Sequence, residues 1–359
     1  MRVGIVGDGI AGTLLTWQLA RTHRDLDLTL FPGATVGHPP AVVTASAASG
    51  GLVRGFEADP RSRAHATAAL TELLASPTLR RWSRYTETGS VYVLTHGRIA
   101  ADGADELDRS VRDSVELVDG AALRTRYGFE GLPAHAVGVA ERRAGYVSPA
   151  HWRDAVLTEL GWLGVTVAAP VSALAAGPVA ACDVVIVAAG AWTAPLLSAA
   201  GFPAGGLRTK MIQYGVYPAS GLLPPCFVDD TSGLYGRPAP GGMLLGLPTE
   251  GWDVAPEDVR ADAGLADHVG AASALRLPGL RLDGRPRLVA ATDSYHDAPG
   301  LRLRRVGDAH VYTFAGGSGG AAKTVLAASA EAAGHLVRGL RSSTTTTIGT
   351  TAGDDFRGN

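Results

Sequence analysis

The feature that most constrains this chain lies in its opening thirty-one residues. A β-branched run from Arg2 to Val6 ends at Gly7, and the apolar residues from Ile10 to Ala20 then recur at helical spacing. A second apolar run, Leu26 to Phe31, follows, so the order is strand, glycine turn, helix, strand. The turn reads Gly7-Asp8-Gly9-Ile10-Ala11-Gly12 and fits G-x-G-x-x-G in the place where that pattern carries meaning. Its glycines allow a tight turn and a close backbone approach, while the N–H groups at the helix start face a pyrophosphate. A chain that begins this way is committed to a parallel sheet with a dinucleotide at its strand ends. The acidic residue that usually follows about twenty positions on, to bind a ribose hydroxyl, is missing, because the second strand ends at Phe31. A backbone or neighbouring group is expected to take that part. The pattern alone does not say which dinucleotide.

The remainder of the chain is long enough for a second unit, since 359 residues exceed the size at which one core keeps growing. A net charge of -2 leaves no basic stripe, which argues against nucleic acid as a partner and in favour of a small molecule. Cys182 and Cys226 are too few for a disulfide framework, consistent with a cytoplasmic protein. The apolar N-terminus lacks the charged start and the cleavage site of a signal peptide. Val165 to Leu197 is interrupted by Pro170, Pro178, Asp183 and Gly190, so no membrane span is expected. The histidines show no metal-ligand spacing, and neither H-E-x-x-H nor G-x-S-x-G occurs.

Along the chain, a small-residue segment from Thr44 to Gly51 precedes a helix predicted over Pro60 to Ala75. Residues from about Trp82 to Val139 change texture, with a strand-like run Ser90 to Thr95 and a charged, helix-like piece near Ala104 to Val115. Ala150 to Leu163 reads as a helix, and Val165 to Ala168 and Val184 to Ala188 as buried parallel strands, returning to the first unit. Leu207 to Val289 is strand-rich, with turns at Pro224-Pro225, Pro238 and Gly241-Gly242, and predicts an antiparallel sheet. Gly316 to Gly320 leads into an Ala-rich helix from Ala321 to Leu340. Ser342 to Asn359, rich in Thr, Gly and Ser, reads as a disordered tail.

Four later segments occur in order: Ser46-Ala47-Ala48-Ser49-Gly50-Gly51-Leu52, Gly145-Tyr146-Val147-Ser148-Pro149, Val184 to Trp192, and Gly316-Gly317-Ser318-Gly319-Gly320. With the opening unit they make the chain resemble the D-amino-acid oxidase-like flavoproteins, in particular the glycine oxidase and monomeric sarcosine oxidase branch. The resemblance runs from Met1 to about Leu340. It implies an α/β fold in which a Rossmann-type FAD-binding domain is interleaved with an α+β substrate domain built on an antiparallel sheet. FAD-binding parts are then expected at 1–80, 145–206 and 291–341, substrate-domain parts at 81–144 and 207–290, and the tail at 342–359. The small residues from Ser46 to Gly51 would let backbone pass close to the flavin rings, and the Gly316 to Gly320 loop ahead of a helix offers N–H groups to its carbonyls. The expected cofactor contacts are Gly7, Gly9, Ile10, Ala11, Gly12, Phe31, Ser46, Ser49, Gly50, Gly51, Leu52, Val171, Ala189, Gly190, Trp192, Gly317, Ser318, Gly319, Gly320 and Lys323.

The resemblance also implies residues at the substrate. In the sarcosine oxidase branch an arginine after the glycine-rich segment and a lysine in G-x-S-G-x-x-x-K hold the substrate carboxylate, and these fall on Arg54 and Lys323. A guanidinium and an ammonium would bind one carboxylate by charge-assisted hydrogen bonds and fix the neighbouring C–H toward flavin N5. Tyr295 falls where that branch keeps a tyrosine over the substrate. The implied reaction is oxidation of the C–N bond of a carboxylate-bearing amine, an amino acid or an N-substituted glycine, by hydride transfer to the flavin, giving an imine that water hydrolyses.

Two positions depart from the branch. Leu244 stands where it has an oxygen-activating lysine, so the electron acceptor is either oxygen or another oxidant, with Lys210 a candidate substitute. A flavin hydroxylase using NAD(P)H is disfavoured because Gly307-Asp308-Ala309-His310 precedes a strand and not a helix. A flavin-binding protein without catalysis is the other alternative, motivated by Phe31 and Leu244. The Gly316 to Lys323 stretch fails the spacing of a phosphate loop. Asp293 stands where the branch keeps the cysteine bonded to flavin, so the FAD should be non-covalent. Denaturing the yellow protein and filtering it should pass all the colour; flavin retained with the polypeptide would contradict this.

Overall fold

Arg2–Val6 is exposed at its first residue and buried at the next four, the pattern of a strand covered on both faces. In the computed structural model, which describes residues 1–33, 42–174, 177–307 and 310–348, it lies inside a six-stranded sheet. Val184–Val187 and Asp27–Phe31 flank it in parallel, with Ile5 opposite Ile186 and Leu30. Val311–Ala315 and Thr166–Val167 extend the sheet on either side, and Arg302–Arg305 closes one edge antiparallel.

Four helices cover one face: Ile10–Thr22, Pro60–Ala75, Pro149–Trp162 and the long Ala321–Ile348. Leu14, Leu15 and Leu19 meet Trp152, Val325, Leu326 and Leu336 there in one core. The Ala-rich sequence of the last helix suits this position, since alanine has high helix propensity and its small side chains permit close packing. Helix extends through Ile348, so the tail expected from Ser342 is corrected over 342–348, where added residues join an existing helix without a new nucleus. Residues 349–359 lie outside the described part.

The strand-helix junction depends on missing side chains. A Cβ on Gly12 would stand 2.0 Å from the Gly7 carbonyl oxygen and 3.2 Å from the Ala188 Cβ. Gly7 itself has φ +114°, with the Ala188 carbonyl oxygen 2.5 Å from any Cβ it could carry. Gly12 therefore lets the helix sit against the ends of the strands, which is its part in this fold.

The second unit is a nine-stranded sheet. Its longest strand, Leu207–Gly221, pairs antiparallel with Arg287–His296, Gly242–Gly246 and Leu280–Leu282. Tyr235–Ala239 and Cys226–Asp229 continue it to Ser90–Leu94, Val137–Glu141 and Val115–Asp119. The expected antiparallel sheet is interrupted once: Cys226–Asp229 runs parallel to Ser90–Leu94, at the seam where the two chain segments of this unit meet. The strand Arg287–His296 pairs along its whole length, so the boundary expected at 290 falls inside a continuous element and the sheet reaches His296.

Gly97–Ser110 and Ala263–Arg276 are among the helices that depart from the sequence reading. The charged piece is Gly97–Ser110, placed by burial of Ala100, Ala104 and Leu107 at helical spacing, and Val115–Asp119 is a strand. Within the strand-rich stretch stands Ala263–Arg276, capped by Asp262, whose carboxylate accepts the N–H groups of Gly264 and Leu265. No helix among the described residues is long and apolar enough to cross a membrane.

Replacing Gly12 by Ala should destabilise the protein by roughly 1–3 kcal/mol, the usual cost of overpacking. A denaturant midpoint shift at unchanged slope measures it, and an unchanged midpoint would refute the close-contact reading.

Candidate active site

The two units enclose a cavity of about 970 Å³. Two helices begin on it: Ile10–Thr22, through Gly7, Gly9, Ile10 and Ala11, and Ala321–Ile348, through Gly316, Gly317, Gly319 and Gly320. Their first-turn N–H groups and positive dipole ends therefore serve one space. Of the Ile10 helix, one such donor is already used, since the Ile10 N–H donates to the Ser46 hydroxyl at 3.0 Å. That bond ties the Ser46 segment to the glycine turn.

Most predicted cofactor contacts are brought to this wall. Ser46, Ser49, Gly50, Gly51 and Leu52 line it, as do Val171, Ala189, Gly190, Trp192 and Lys323. Three do not. Phe31 is 1% exposed, because strand alternation turns its ring into the core beside Val6, Val185 and Gly4; only its carbonyl takes part nearby, accepting the Gly7 N–H at 2.8 Å. Gly12 is spent on packing. Ser318, at φ 52°, turns its hydroxyl back to the Gly316 carbonyl at 3.1 Å and shapes the loop from behind. Asp8 and Gly33 line the wall near the end of the second strand, where the Gly33 N–H donates to the Asp8 carboxylate at 3.3 Å. Asp8 was not foreseen, although it stands inside the glycine motif. Asp308 and Ala309 lie outside the described residues.

Arg54 and Lys323 are brought together from opposite ends of the chain, and both line the cavity. Between them stands a residue the sequence reading missed. Glu57 Oε1 is 2.7 Å from an Arg54 guanidinium nitrogen and 2.8 Å from Lys323 Nζ. Arg54 is 6% exposed, donates from Nε to the Phe56 carbonyl at 3.2 Å, and lies over the Tyr92 ring at 5.1 Å. Its segment is fixed from the second unit by Glu141, whose carboxyl accepts the Gly55 and Phe56 N–H groups at 2.7 and 3.0 Å. The signal for Glu57 was its place three residues after Arg54, but spacing alone does not separate a buried counter-ion from a surface acid.

The charges of this cluster offset one another. Burial pushes the Glu57 carboxyl up, but Arg54 and Lys323 together outweigh it and hold the group below its ordinary 4.5. Burial pulls the Lys323 ammonium below its ordinary 10.5, Arg54 adds to this, and Glu57 opposes it. Lys323 has three donors and Arg54 five, so both retain donors that Glu57 does not use.

Tyr295 also lines the cavity, edge-on to Trp252 at 5.2 Å. Burial and the neighbouring Asp293 push its phenol up to about 12, which keeps it a neutral hydroxyl at ordinary pH. Asp293 accepts the N–H groups of Ser294 and Gly319, both at 2.8 Å, and thus ties the nine-stranded sheet to the glycine loop. Leu244 is fully buried, with its methyl groups 3.7 and 3.9 Å from where a Gly50 Cβ would lie. On the strand beside it, Arg237 donates to the Gly50 carbonyl at 2.6 Å and stacks over Tyr146 at 4.3 Å. No cluster of His, Cys, Asp or Glu fit to hold a metal occurs among the described residues.

A family model described as FAD dependent oxidoreductase (DAO) matches residues 2–336. No curated protein sequence matches the chain. Among solved structures, L-proline dehydrogenase from P. horikoshii is similar with a TM-score of 0.74 at 14% identity, covering 94% of this chain and 93% of that one. Glycine oxidase from Geobacillus kaustophilus gives 0.68 at 19%, and glycine oxidase from Bacillus cereus ATCC 14579 gives 0.67 at 15%, each covering 94% of this chain and 95% of the other. At these identities the likeness is one of fold.

Substituting Glu57 by Gln should cost roughly 3–5 kcal/mol, because two buried cations lose their counter-ion. Glu57 has a depressed folded pKa, so its contribution is present above about pH 4.5 and is lost as pH falls through the folded value. Denaturant midpoints between pH 3 and 7 should therefore converge for the two proteins on the acid side (roughly the window set by these carboxyl pKa values); a constant gap would refute the assignment.

Proposed function

The chain belongs to the DAO family of FAD-dependent oxidoreductases, and from that premise we propose that it oxidises the C–N bond of a carboxylate-bearing amine, an amino acid or an N-substituted glycine. The observation that carries the reading is the shared cavity: a glycine cradle at two helix starts and two cations, the buried Arg54 and the partly buried Lys323, face the same space. Positive φ at Gly7, and the absence of a side chain at Gly9, where a Cβ would stand 3.2 Å from the Ser46 hydroxyl, suit a cradle for a pyrophosphate. Gly316 to Gly320 suits the other end of an extended dinucleotide. Bound FAD supplies the two-electron acceptor. Its attachment is non-covalent in this reading, since Asp293, with no thiol, already accepts two backbone N–H groups.

The chain's own residues then bind and orient. Arg54 and Lys323 hold the substrate carboxylate with the donors left free by Glu57, and Glu57 keeps the lysine charged and in place. Tyr295 offers a neutral hydroxyl at the substrate side. The apolar walls, including Leu52, Ile212 and Tyr235, exclude water, which strengthens the charged contacts. With an amine bound in its neutral form, no protein base is required.

Anaerobic mixing of the holoenzyme with amino acids and N-alkyl glycines tests this: flavin bleaching without NAD(P)H is expected, and bleaching only with NAD(P)H would assign a hydroxylase instead. Lys323→Met should raise KM for the carboxylate substrate about tenfold or more, the size of a hydrogen bond to a charged group. Because the Lys323 pKa is lowered, carboxylate affinity should fall on an alkaline limb below 10.5. Glu57→Gln should move that limb to lower pH, as its negative charge supports the ammonium; a KM profile unchanged in both variants would remove Lys323 from the substrate.

A further inference from the structure

A third cation enters the cavity. Lys210 lies in Leu207–Gly221, is half-buried, and lines the same wall as Tyr295. Its ammonium sits 4.8 Å from the Trp252 ring centroid and 5.8 Å from that of Tyr295. Aromatic faces attract a cation without neutralising it.

The other cations near this wall are already paired. Arg54 and Lys323 share Glu57, and Arg208, two residues before Lys210, takes Asp253 in a two-pronged contact. No carboxylate of the described residues pairs with Lys210. Asp293, its partner in strand register, has its carboxylate engaged by the Ser294 and Gly319 N–H groups.

Tyr295 meets both Lys210 and the glycine loop that precedes Lys323. Its hydroxyl is 3.2 Å from the Cβ position of Gly319, while Lys323 Nζ is 3.3 Å from that of Gly320. The glycine loop is thus met by both Lys323 and Tyr295, and Lys210 lies near the Tyr295 ring.

We infer that Lys210 is a second anion subsite, so that the preferred substrate carries another negative group in addition to the carboxylate held by Arg54 and Lys323. The class is an acidic amino acid or an N-carboxyalkyl amine. Such a ligand would place its second carboxylate beside an ammonium that has no counter-ion among the described residues and lies against two rings. The inference rests on the amine-oxidation reading for its substrate, but the anion subsite can be tested without turnover.

The test is a titration of the oxidised holoenzyme with glutarate and with butyrate, neither of which has an amine to oxidise, following the flavin absorbance. Glutarate should bind about tenfold more tightly than butyrate, the equivalent of one charge-assisted contact. Lys210→Met should bring that ratio close to one, and Lys210→Arg should keep most of it. A ratio near one in the unaltered protein, or a ratio unchanged by Lys210→Met, would overturn the proposal. So would a Lys210→Met protein whose ratio is intact while its FAD affinity or its reoxidation by oxygen falls, since Lys210 would then serve the cofactor or the acceptor. Failure of the amine-oxidation reading shows separately, as no bleaching with any amine while the glutarate preference remains.

Discussion

Two cations buried beside one carboxylate set the terms for the rest of this site. Glu57 cannot reach both Arg54 and Lys323 unless the segment after Leu52–Val53 and the start of the last helix are held within one contact distance. That demand is met from several directions. Glu141 fixes the backbone after Arg54, Asp293 fixes the loop before Lys323, and the core under Ala321–Ile348 fixes the helix. Charge in a low-dielectric wall is tolerated here because each charged group has a partner of opposite sign. The cluster keeps one net positive charge turned toward the cavity, a modest field with a definite position.

What could be read in the sequence was what the backbone requires. Gly7 to Gly12, Ser46 to Leu52 and Gly316 to Gly320 announce themselves because only small residues fit those approaches, and the cavity wall contains nearly all of them. Helices with a cap and a buried face were also legible, as Pro60–Ala75 shows. Ala263–Arg276 was hidden because its buried positions, Ala266, Val269 and Ser273, are few and small among strands. Phe31 is expected at the wall because it ends a strand whose tip lies near the cavity, but strand alternation decides the direction of its ring. Glu57 could not be recognised at all: its importance arises from a residue 266 positions away (323 − 57) that folding brings to it.

The wall near Gly50 has a different character from the charged one. Leu244 is fully enclosed, and its cross-strand neighbour Arg237 is locked onto the Gly50 carbonyl and the Tyr146 ring. Desolvation lowers the guanidinium pKa without removing its charge, so this residue braces the loop rather than offering a mobile proton. The cavity wall thus draws its charges from separate parts of the chain: Arg54 and Lys323 come from the segment after Leu52–Val53 and the start of the last helix, while Lys210 and Asp293 come from the second sheet, beside apolar residues such as Ile212.

The chain crosses between the two sheets repeatedly, and the strand Arg287–His296 is paired in one while its Asp293 carboxylate grips the loop of the other. Neither sheet is therefore a contiguous piece of sequence that can be exchanged alone. Exchange by recombination would have to replace separated segments together, whereas single substitutions at Met211, Ile212 or Tyr214, which line the cavity from Leu207–Gly221, leave the Arg237 bond to the Gly50 carbonyl in place. The interleaving thus directs piecemeal change to the side chains that line the cavity from the second sheet and away from the backbone of the glycine turns.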